Sequence, residues 1–227
     1  AQTTNEEVVG TVRAKLHATL EAQLSGRIAR LPVVLGQRVK AGELIVRLDA
    51  PEIAARLDQA DASQEQAERD WKRISALFGQ QAVTRAEYDA ADARHRVAKG
   101  AVVEAKAMMG YAEIVAPFDG VVTRKWADVG DLAAPGKPLI SIEDPTALQL
   151  EADVPEAIAP HIQRDAWLTA SVDAAGGVLT GTVGEIAPAV DPISRTFRVK
   201  LDLPQKPGLM SGQFARLLVP VGERHSL

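Results

Sequence analysis

Apolar residues in the middle of the chain recur at helical spacing. Between residues 51 and 110 turn-forming residues are scarce, and apolar or small side chains return every three or four positions in two successive segments. These positions are Ile53, Leu57, Ala60, Gln64, Ala67, Trp71, Ile74 and Phe78 in the first segment, and Tyr88, Ala91, His95, Ala98, Val102, Ala105 and Met109 in the second. Two heptad segments joined by about five residues predict an antiparallel helical hairpin with arms of about 40 Å.

The residues that flank these segments predict where each helix begins and ends. Asp49 and Glu52 form a candidate N-terminal cap around Pro51, and Gly79 stands where a C′ glycine would end the first helix. The second helix is predicted to begin at Thr84-Arg85-Ala86-Glu87, which is a capping-box sequence.

Folding the chain at residues 79–83 predicts which side chains meet across the seam between the two helices. The pairs nearest the turn are Ile74 with Tyr88, Trp71 with Ala91, and Ala67 with His95. Several pairs place a large residue opposite a small one, as close packing of two helices requires.

The segments on either side of the hairpin repeat each other at an offset of 94 residues. The glycines that recur in this register are Gly26, Gly36 and Gly42 in the first segment, and Gly120, Gly130 and Gly136 in the second. Apolar positions follow the same offset, and the glycines read as turns between short strands. Two such halves, neither able to bury its apolar face alone, predict a small β-sandwich that the hairpin interrupts.

Apolar and polar residues alternate in the last third of the chain. The alternation predicts five strands, at about residues 148–152, 167–172, 178–186, 196–203 and 214–219. A strand within residues 15–21 is predicted to complete a six-stranded antiparallel β-barrel with them. Residues 8–12 are typical of one further strand.

Composition and charge exclude several classes of function. The 227 residues carry a net charge of −4 with scattered basic residues, and 4% are aromatic, so no nucleic-acid partner is expected. The chain has no cysteine, which removes disulfides, thiolate metal sites and cysteine nucleophiles. It contains neither a phosphate-binding glycine loop nor a GxSxG serine motif. We therefore expect a binding or structural protein and not an enzyme.

The remaining candidate metal ligands do not have the spacing of a site. The four histidines are His17, His95, His161 and His225, which are far apart in the sequence. Met108 and Met109 are adjacent, so on a helix they point in different directions, and Met109 belongs to the predicted seam. We expect packing to explain both methionines, and we expect no metal and no cofactor.

The two repeated halves resemble those of the biotinyl/lipoyl domain over residues 22–49 and 116–143. Carrier domains of that family place a modified lysine in the hairpin that joins the halves. Here no lysine occurs between Lys40 and Lys72. A lipoyl or biotin carrier subunit of an enzyme complex is therefore the disfavoured alternative.

A split lipoyl-like domain with an inserted helical hairpin is similar to the HlyD/AcrA-type periplasmic adaptors, or membrane fusion proteins, and most like their resistance-nodulation-division class. At the predicted hairpin tip, Arg73, Leu77 and Thr84 resemble the RxxxLxxxxxxS motif of adaptors that engage TolC-type outer-membrane channels, with Thr in place of Ser. Residues 188–196 and 209–214 resemble the barrel signatures of the same family. Local structure offers another explanation of the motif, with Thr84 as a cap, Leu77 as a helix-end contact and Arg73 as a surface charge.

The resemblance implies a periplasmic adaptor subunit that links an inner-membrane efflux transporter to a TolC-type outer-membrane channel and serves the export of small toxic compounds, either drugs or metal ions. It further implies a hexamer in the assembled pump, with a weak or monomeric isolated form, and anchoring to the inner membrane through an N-terminal segment absent from this chain. An adaptor of an ATP-driven exporter has the same architecture and stays open. A metal-binding periplasmic chaperone is the remaining alternative.

The expected fold is mixed α and β, elongated and modular. The expected domains are a partial membrane-proximal strand at 1–13, the β-barrel at 14–21 and 145–220, the lipoyl-like halves at 22–49 and 112–143, the helical hairpin at 50–111, and the start of a truncated membrane-proximal segment at 221–227.

Overall fold

The computed structural model describes residues 2–224; Ala1 and residues 225–227, His225 among them, lie outside the described part. Within this part the chain forms two long helices, α1 (Pro51–Gly79) and α2 (Arg85–Gly110), and fourteen strands. The strands are β1 (Gln2–Ala14), β2 (His17–Glu21), β3 (Gly26–Arg30), β4 (Arg38–Val39), β5 (Leu44–Asp49), β6 (Glu113–Val115), β7 (Gly120–Lys125), β8 (Leu132–Ala133), β9 (Pro138–Glu143), β10 (Leu148–Pro155), β11 (Trp167–Val172), β12 (Gly177–Ile186), β13 (Thr196–Asp202) and β14 (Phe214–Arg224).

The described residues divide into two compact units. One unit contains the residues up to Ala18, residues 119–121, and the residues from Ile142 onward. The other contains residues 19–118 and 122–141, and so holds both helices.

Six of the described strands close into an antiparallel barrel in the order β1-β10-β13-β12-β11-β14. Side chains alternate between the interior and the outside along each strand, because successive residues of a strand point to opposite faces. The interior is filled by fully buried apolar residues, including Val12, Leu150, Val199, Leu201 and Leu217. The five strands predicted between residues 148 and 219 are confirmed as β10 to β14.

The sixth strand of the barrel is β1, and the prediction that residues 15–21 supply it is wrong. β1 pairs with β14 and with β10, and its alternate residues Val8, Val12 and Ala14 are buried in the barrel. The prediction failed because the inward alternation of residues 8–14 was assigned to a separate membrane-proximal strand. At the other end of the chain, residues 221–224 belong to β14, whose last residues pair with the first residues of β1. The membrane-proximal segment expected at 221–227 stays a prediction.

The repeated halves form a β-sandwich of two four-stranded sheets, with strand orders β2-β9-β7-β4 and β6-β5-β3-β8. A shift of 94 residues carries β3, β4 and β5 onto β7, β8 and β9, and carries β2 onto the position of β6. Each sheet therefore contains strands from both halves. The predicted repeat and the predicted sandwich are both confirmed.

The backbone hydrogen bonds of the sandwich repeat with the same offset. The N–H of Gly36 donates to the carbonyl of Val122 at 2.9 Å, and the N–H of Gly130 donates to the carbonyl of Ile28 at 2.9 Å. Gly36 and Gly130 have φ values of 80° and 97°, a region that strongly favours glycine, so both turns need it. The predicted glycine turns are confirmed at these positions.

Gly26 and Gly120 occupy equivalent positions in the two halves, and neither has a positive φ, so a turn does not explain them. A Cβ atom on Gly26 would lie 2.8 Å from the carbonyl oxygen of Asp49, and one on Gly120 would lie 2.8 Å from that of Glu143. Close approach of a neighbouring strand, and not a turn, therefore requires glycine at these two positions.

The helical hairpin leaves the sandwich from two adjacent strands, since α1 follows β5, α2 precedes β6, and β5 pairs with β6.

The N-cap of α1 is Ala50, which makes no side-chain cap, so the predicted cap at Asp49 and Glu52 is wrong. Pro51 at the first helical position explains the start by itself, because its fixed φ suits a helix and it has no N–H to satisfy. Neither described helix is long and apolar enough to cross a membrane.

The predicted seam of the hairpin is confirmed. On α2 the buried residues are Ala91, Ala98, Val102 and Ala105, all of which belong to the predicted stripe. The predicted positions of α1, from Ile53 to Phe78, are half-buried. The seam therefore extends along the whole hairpin, which reaches about 40 Å at 1.5 Å per residue.

Candidate functional site: the tip of the helical hairpin

The turn at the hairpin tip is closed by backbone hydrogen bonds at the end of α1. The N–H of Ala82 donates to the carbonyl of Leu77 at 2.9 Å, and the N–H of Gln81 donates to that of Phe78 at 3.0 Å. Gln81 has a φ of 58°, so it occupies the left-handed C′ position of a Schellman motif. The predicted C′ residue, Gly79, is the last residue of α1. That prediction was wrong because the bond from Ala82 to Leu77 places the left-handed residue two positions later.

Thr84 begins α2 through the predicted capping box, which is confirmed. Its hydroxyl oxygen accepts a hydrogen bond from the N–H of Glu87 at 3.3 Å, and Glu87 Oε2 accepts one from the N–H of Thr84 at 2.7 Å. The hydroxyl of Thr84 also donates to Glu87 Oε2 at 2.8 Å. These bonds, first from the backbone and then from the hydroxyl of Thr84, lower the pKa of the Glu87 carboxyl from its ordinary value of 4.5.

Arg73 and Leu77 lie on the last two turns of α1, four residues apart and hence on one face of the helix. The side chain of Arg73 is 68% exposed, and its guanidinium donates to Asp70 Oδ1 at 2.7 Å. Leu77 is half-buried. The end of α1 thus presents a solvent-exposed cation and, one turn nearer the tip, a partly exposed apolar side chain.

Two aromatic rings join the helices at the tip, a contact that the sequence-based register missed. The ring of Phe78 stacks on that of Tyr88, with centroids 4.8 Å apart and planes 23° apart. The guanidinium carbon of Arg85 lies 5.8 Å from the first ring centroid and 5.9 Å from the second. The available signal was an aromatic residue in the last turn of α1 and another in the first turn of α2.

A second stack, between Trp71 and His95, shows why the predicted pairs were misplaced. The indole and the imidazole lie 5.1 Å apart with planes at 19°. The prediction paired His95 with Ala67 and Tyr88 with Ile74, one helical turn farther from the tip along α1. Side chains tilt toward the N-terminus of their own helix, so in an antiparallel pair a contact joins residues whose Cα atoms are not level.

Residues 16–145 match the family model described as the RND MFP barrel-sandwich hybrid domain, where MFP denotes membrane fusion protein, and this match covers more than half of the 227 residues. The chain belongs to the RND membrane fusion protein family. Residues 149–220 match a second model, the CusB-like β-barrel domain. Membrane fusion proteins are periplasmic adaptors and not enzymes, and they work with an inner-membrane transporter and an outer-membrane channel in tripartite pumps.

Curated relatives of this membrane fusion protein include resistance proteins of two kinds. The multidrug resistance protein MdtA of Pectobacterium carotovorum is 30% identical over 165 residues, which are 66% of this chain and 40% of MdtA. The nickel-cobalt-cadmium resistance protein NccB of Alcaligenes xylosoxydans is 28% identical over 194 residues, which are 80% of this chain and 49% of NccB. The chain spans about half the length of the curated relatives it matches.

A solved structure shares the fold of this membrane fusion protein. The MacA–MexA chimeric protein that contains the α-hairpin domain of Pseudomonas aeruginosa MexA superposes with a TM-score of 0.88 at 22% identity. The superposition covers 97% of this chain and 82% of the chimera. At this level of identity the likeness establishes the fold alone.

The junction between the sandwich halves distinguishes this membrane fusion protein from a carrier domain. The chain runs from Asp49 at the end of β5 through Ala50 into α1, so the helical hairpin occupies the place where carriers hold a modified lysine.

Within residues 2–224, no three His, Asp or Glu side chains are grouped as metal ligands.

Proposed function

We propose that this chain is the adaptor subunit of a tripartite efflux pump, where it links an RND-type inner-membrane transporter to a TolC-type outer-membrane channel. The observation that carries the proposal is the barrel-sandwich hybrid with a hairpin of about 40 Å inserted between its halves. A two-helix arm has a single seam, so most of its surface adds little to stability. It is well suited to reach a distant partner.

The hairpin tip is proposed as the channel-docking site, with Arg73, Leu77 and Thr84 as its residues. Arg73 supplies an exposed charge that gives orientation and on-rate. Leu77 supplies an apolar group that is only half-buried in the free protein and can be desolvated on docking. Thr84 acts indirectly, because its capping box fixes the start of α2 beside the turn.

We infer that docking relies on several copies. A single tip offers much less contact area than the roughly 1,200 Å² of a stable interface, so one tip alone binds weakly. Several tips on one channel gain through effective concentration. This arithmetic supports several copies in the assembled pump, for which the family resemblance implies a hexamer, and a weakly associating or monomeric isolated protein.

The exported compounds are proposed to be small toxic molecules or metal ions. MdtA carries the name of a multidrug resistance protein, and NccB that of a nickel, cobalt and cadmium resistance protein. The substrate test therefore needs both a panel of dyes and drugs and a panel of divalent cations. The match to the RND model favours an RND transporter over an ATP-driven one.

The proposal is tested by complementation of a host strain from which the gene has been deleted. The full-length protein is supplied as wild type, as Arg73→Asp with Leu77→Ser, or as a control pair, Arg69→Asp with Val103→Ser. Arg69 is 71% exposed on the same helix and Val103 is 63% exposed on α2, so the control makes the same charge reversal and a similar apolar-to-serine change farther from the tip.

We expect the wild type and the control pair to restore low accumulation of a dye or a divalent cation, and the tip pair to fail at equal protein level. If the tip pair restores efflux as well as the wild type, the docking role of Arg73 and Leu77 is wrong. If the wild type itself restores no efflux for either panel, the adaptor function is wrong for this chain.

A further inference from the structure

The hairpin tip contains a second group of residues besides Arg73, Leu77 and Thr84. We propose that Phe78, Tyr88 and Arg85, here called the tip clamp, are positioning residues that hold the turn in the shape that presents Leu77. The proposal rests on the docking function proposed above and adds residues outside the motif. The members of the clamp act through Leu77 and need not touch the channel.

The clamp ties the two helices together through a ring stack with a guanidinium beside it. The Phe78 and Tyr88 rings are stacked at 4.8 Å, and the guanidinium carbon of Arg85 lies beside the pair, 5.8 Å from the first centroid and 5.9 Å from the second. Asp89 also binds this guanidinium, since Arg85 Nε lies 3.0 Å from Asp89 Oδ1 and 3.2 Å from Oδ2. These contacts favour one orientation of the guanidinium, although the Arg85 side chain is 73% exposed.

The clamp acts on the main chain that carries Leu77. Phe78 directly follows Leu77, and the carbonyls of these two residues accept the N–H groups of Gln81 and Ala82. Fixing the Phe78 ring against α2 therefore fixes the last turn of α1 and both hydrogen bonds of the tip turn. Arg85 is the first residue of α2, so the clamp also fixes the start of that helix.

The hairpin does not depend on the clamp for its folding. The buried seam residues of α2 begin at Ala91 and continue through Ala98 and Val102 to Ala105, all of them farther from the tip than the clamp. Loss of the ring stack should therefore loosen only the tip. A loose tip must be ordered when it docks, and that ordering lowers affinity without any contact being lost.

The test compares three variants of the full chain: Tyr88→Leu, which removes the ring, Tyr88→Phe, which keeps it, and Val103→Ala as an exposed control on α2. The first measurement is amide hydrogen exchange of Gln81 and Ala82, with the amide of Val102 as the reference for the seam. The second is the affinity of each variant for the purified TolC-type channel of the host strain in detergent.

For Tyr88→Leu we expect exchange of the Gln81 and Ala82 amides to speed up about tenfold, with affinity for the channel falling by a similar factor, as the loss of an aromatic pair of ordinary strength implies. Protection of Val102 and the helix content should stay at the wild-type values. Tyr88→Phe and Val103→Ala should match the wild type in both measurements.

Unchanged tip exchange in Tyr88→Leu would overturn the clamp whatever the binding result. Faster tip exchange with unchanged affinity would overturn the positioning role and leave the docking function intact. Because a single tip binds weakly, binding is measured with the protein immobilised at high density, so that several tips can engage one channel. Absence of any wild-type binding under these conditions would overturn the docking function and the positioning role with it, and the exchange data would then describe a structural contact only.

Discussion

The indole of Trp71 lies flat against the imidazole of His95, with ring centroids 5.1 Å apart, and its Nε1 atom is buried with no hydrogen-bond partner among residues 2–224. The contact joins α1 and α2 about two turns from the end of α1. Its strength therefore comes from the ring faces and from apolar burial, and the indole N–H contributes nothing to it.

Trp71→Ala is expected to lower the free energy of unfolding of the hairpin by about 2 kcal/mol, because it removes a stacked, half-buried ring. Trp71→Phe should change it by less than about 1 kcal/mol, since it keeps a ring and removes an unpartnered polar atom. Denaturant unfolding followed by far-UV circular dichroism measures both. Equal destabilisation by the two variants would contradict a contribution from ring stacking at this position.

Gly120→Ala is expected to destabilise the sandwich by roughly 1–3 kcal/mol, because the new Cβ atom would lie 2.8 Å from the Glu143 carbonyl oxygen. Gly26→Ala should have a similar effect, since its Cβ atom would meet the Asp49 carbonyl oxygen at the same distance. Thermal unfolding of the purified variants gives the comparison. A neutral result at either position would show that the neighbouring strand can move away.

Gly100→Ala should have the opposite effect and raise the free energy of unfolding by up to about 1 kcal/mol. Gly100 lies within α2, and nothing lies within 4 Å of the position its Cβ would take. Alanine therefore adds helix propensity without a clash. It is the matched glycine control for the substitutions in the sandwich, and a destabilising result would indicate a partner on this face of α2.

The capping box predicts a pH dependence of the tip. The pKa of Glu87 is lowered in the folded protein, so its contribution to stability is fully present above the ordinary value of 4.5 and is lost as the pH falls through the lowered folded value. The destabilisation caused by Glu87→Ala should therefore be constant from pH 8 to about pH 5 and shrink in more acidic solution. Unfolding titrations of the wild type and the variant at several pH values measure it. A difference that persists unchanged in strong acid would contradict the ionised cap.

The docking proposal predicts a salt dependence that belongs to Arg73. Exposed charges are screened within about 10 Å at 0.1 M salt, so the affinity of the wild type for the channel should fall as ionic strength rises. Arg73→Gln should bind more weakly at low salt and show a shallower dependence. Asp70→Asn should not weaken binding, because it only releases the Arg73 guanidinium from its ion pair at 2.7 Å. A parallel salt dependence for wild type and Arg73→Gln would remove Arg73 from the interface.

The sequence was sufficient to predict the sandwich and the hairpin because both leave periodic signals. The repeated glycines have two steric causes. Gly36 and Gly130 lie in turns with positive φ, and Gly26 and Gly120 lie too close to a neighbouring strand for a Cβ atom. The seam of the hairpin is visible in sequence because small residues such as Ala91 must recur where two helices touch.

The wrong predictions concern positions where the local sequence pattern fits more than one arrangement of the backbone. β1 and β2 both read as short strands, and only pairing with β10 and β14 shows that β1 closes the barrel. Gly79 is a good helix-ending residue by composition, yet Gln81 takes the left-handed conformation because backbone bonds to Leu77 and Phe78 decide the turn. The ring stack at the tip was missed because heptad positions describe helix faces and not the tilt of side chains.

The exchange of strands between the two halves of the sandwich affects how the protein is made. Neither sheet can be completed by the first half, because one contains β6 and β8 and the other contains β7 and β9, all of which are translated only after the hairpin. During synthesis the first half must wait for about one hundred further residues with its edges unpaired. The hairpin contains no residue of either half, and the contacts at its tip, such as Phe78 with Tyr88, join residues close in sequence, so it can form first from the tip. The formed hairpin brings the end of β5 next to the start of β6 and so shortens the loop that the sandwich must close. The proposed docking arm would thereby also speed the folding of the sandwich.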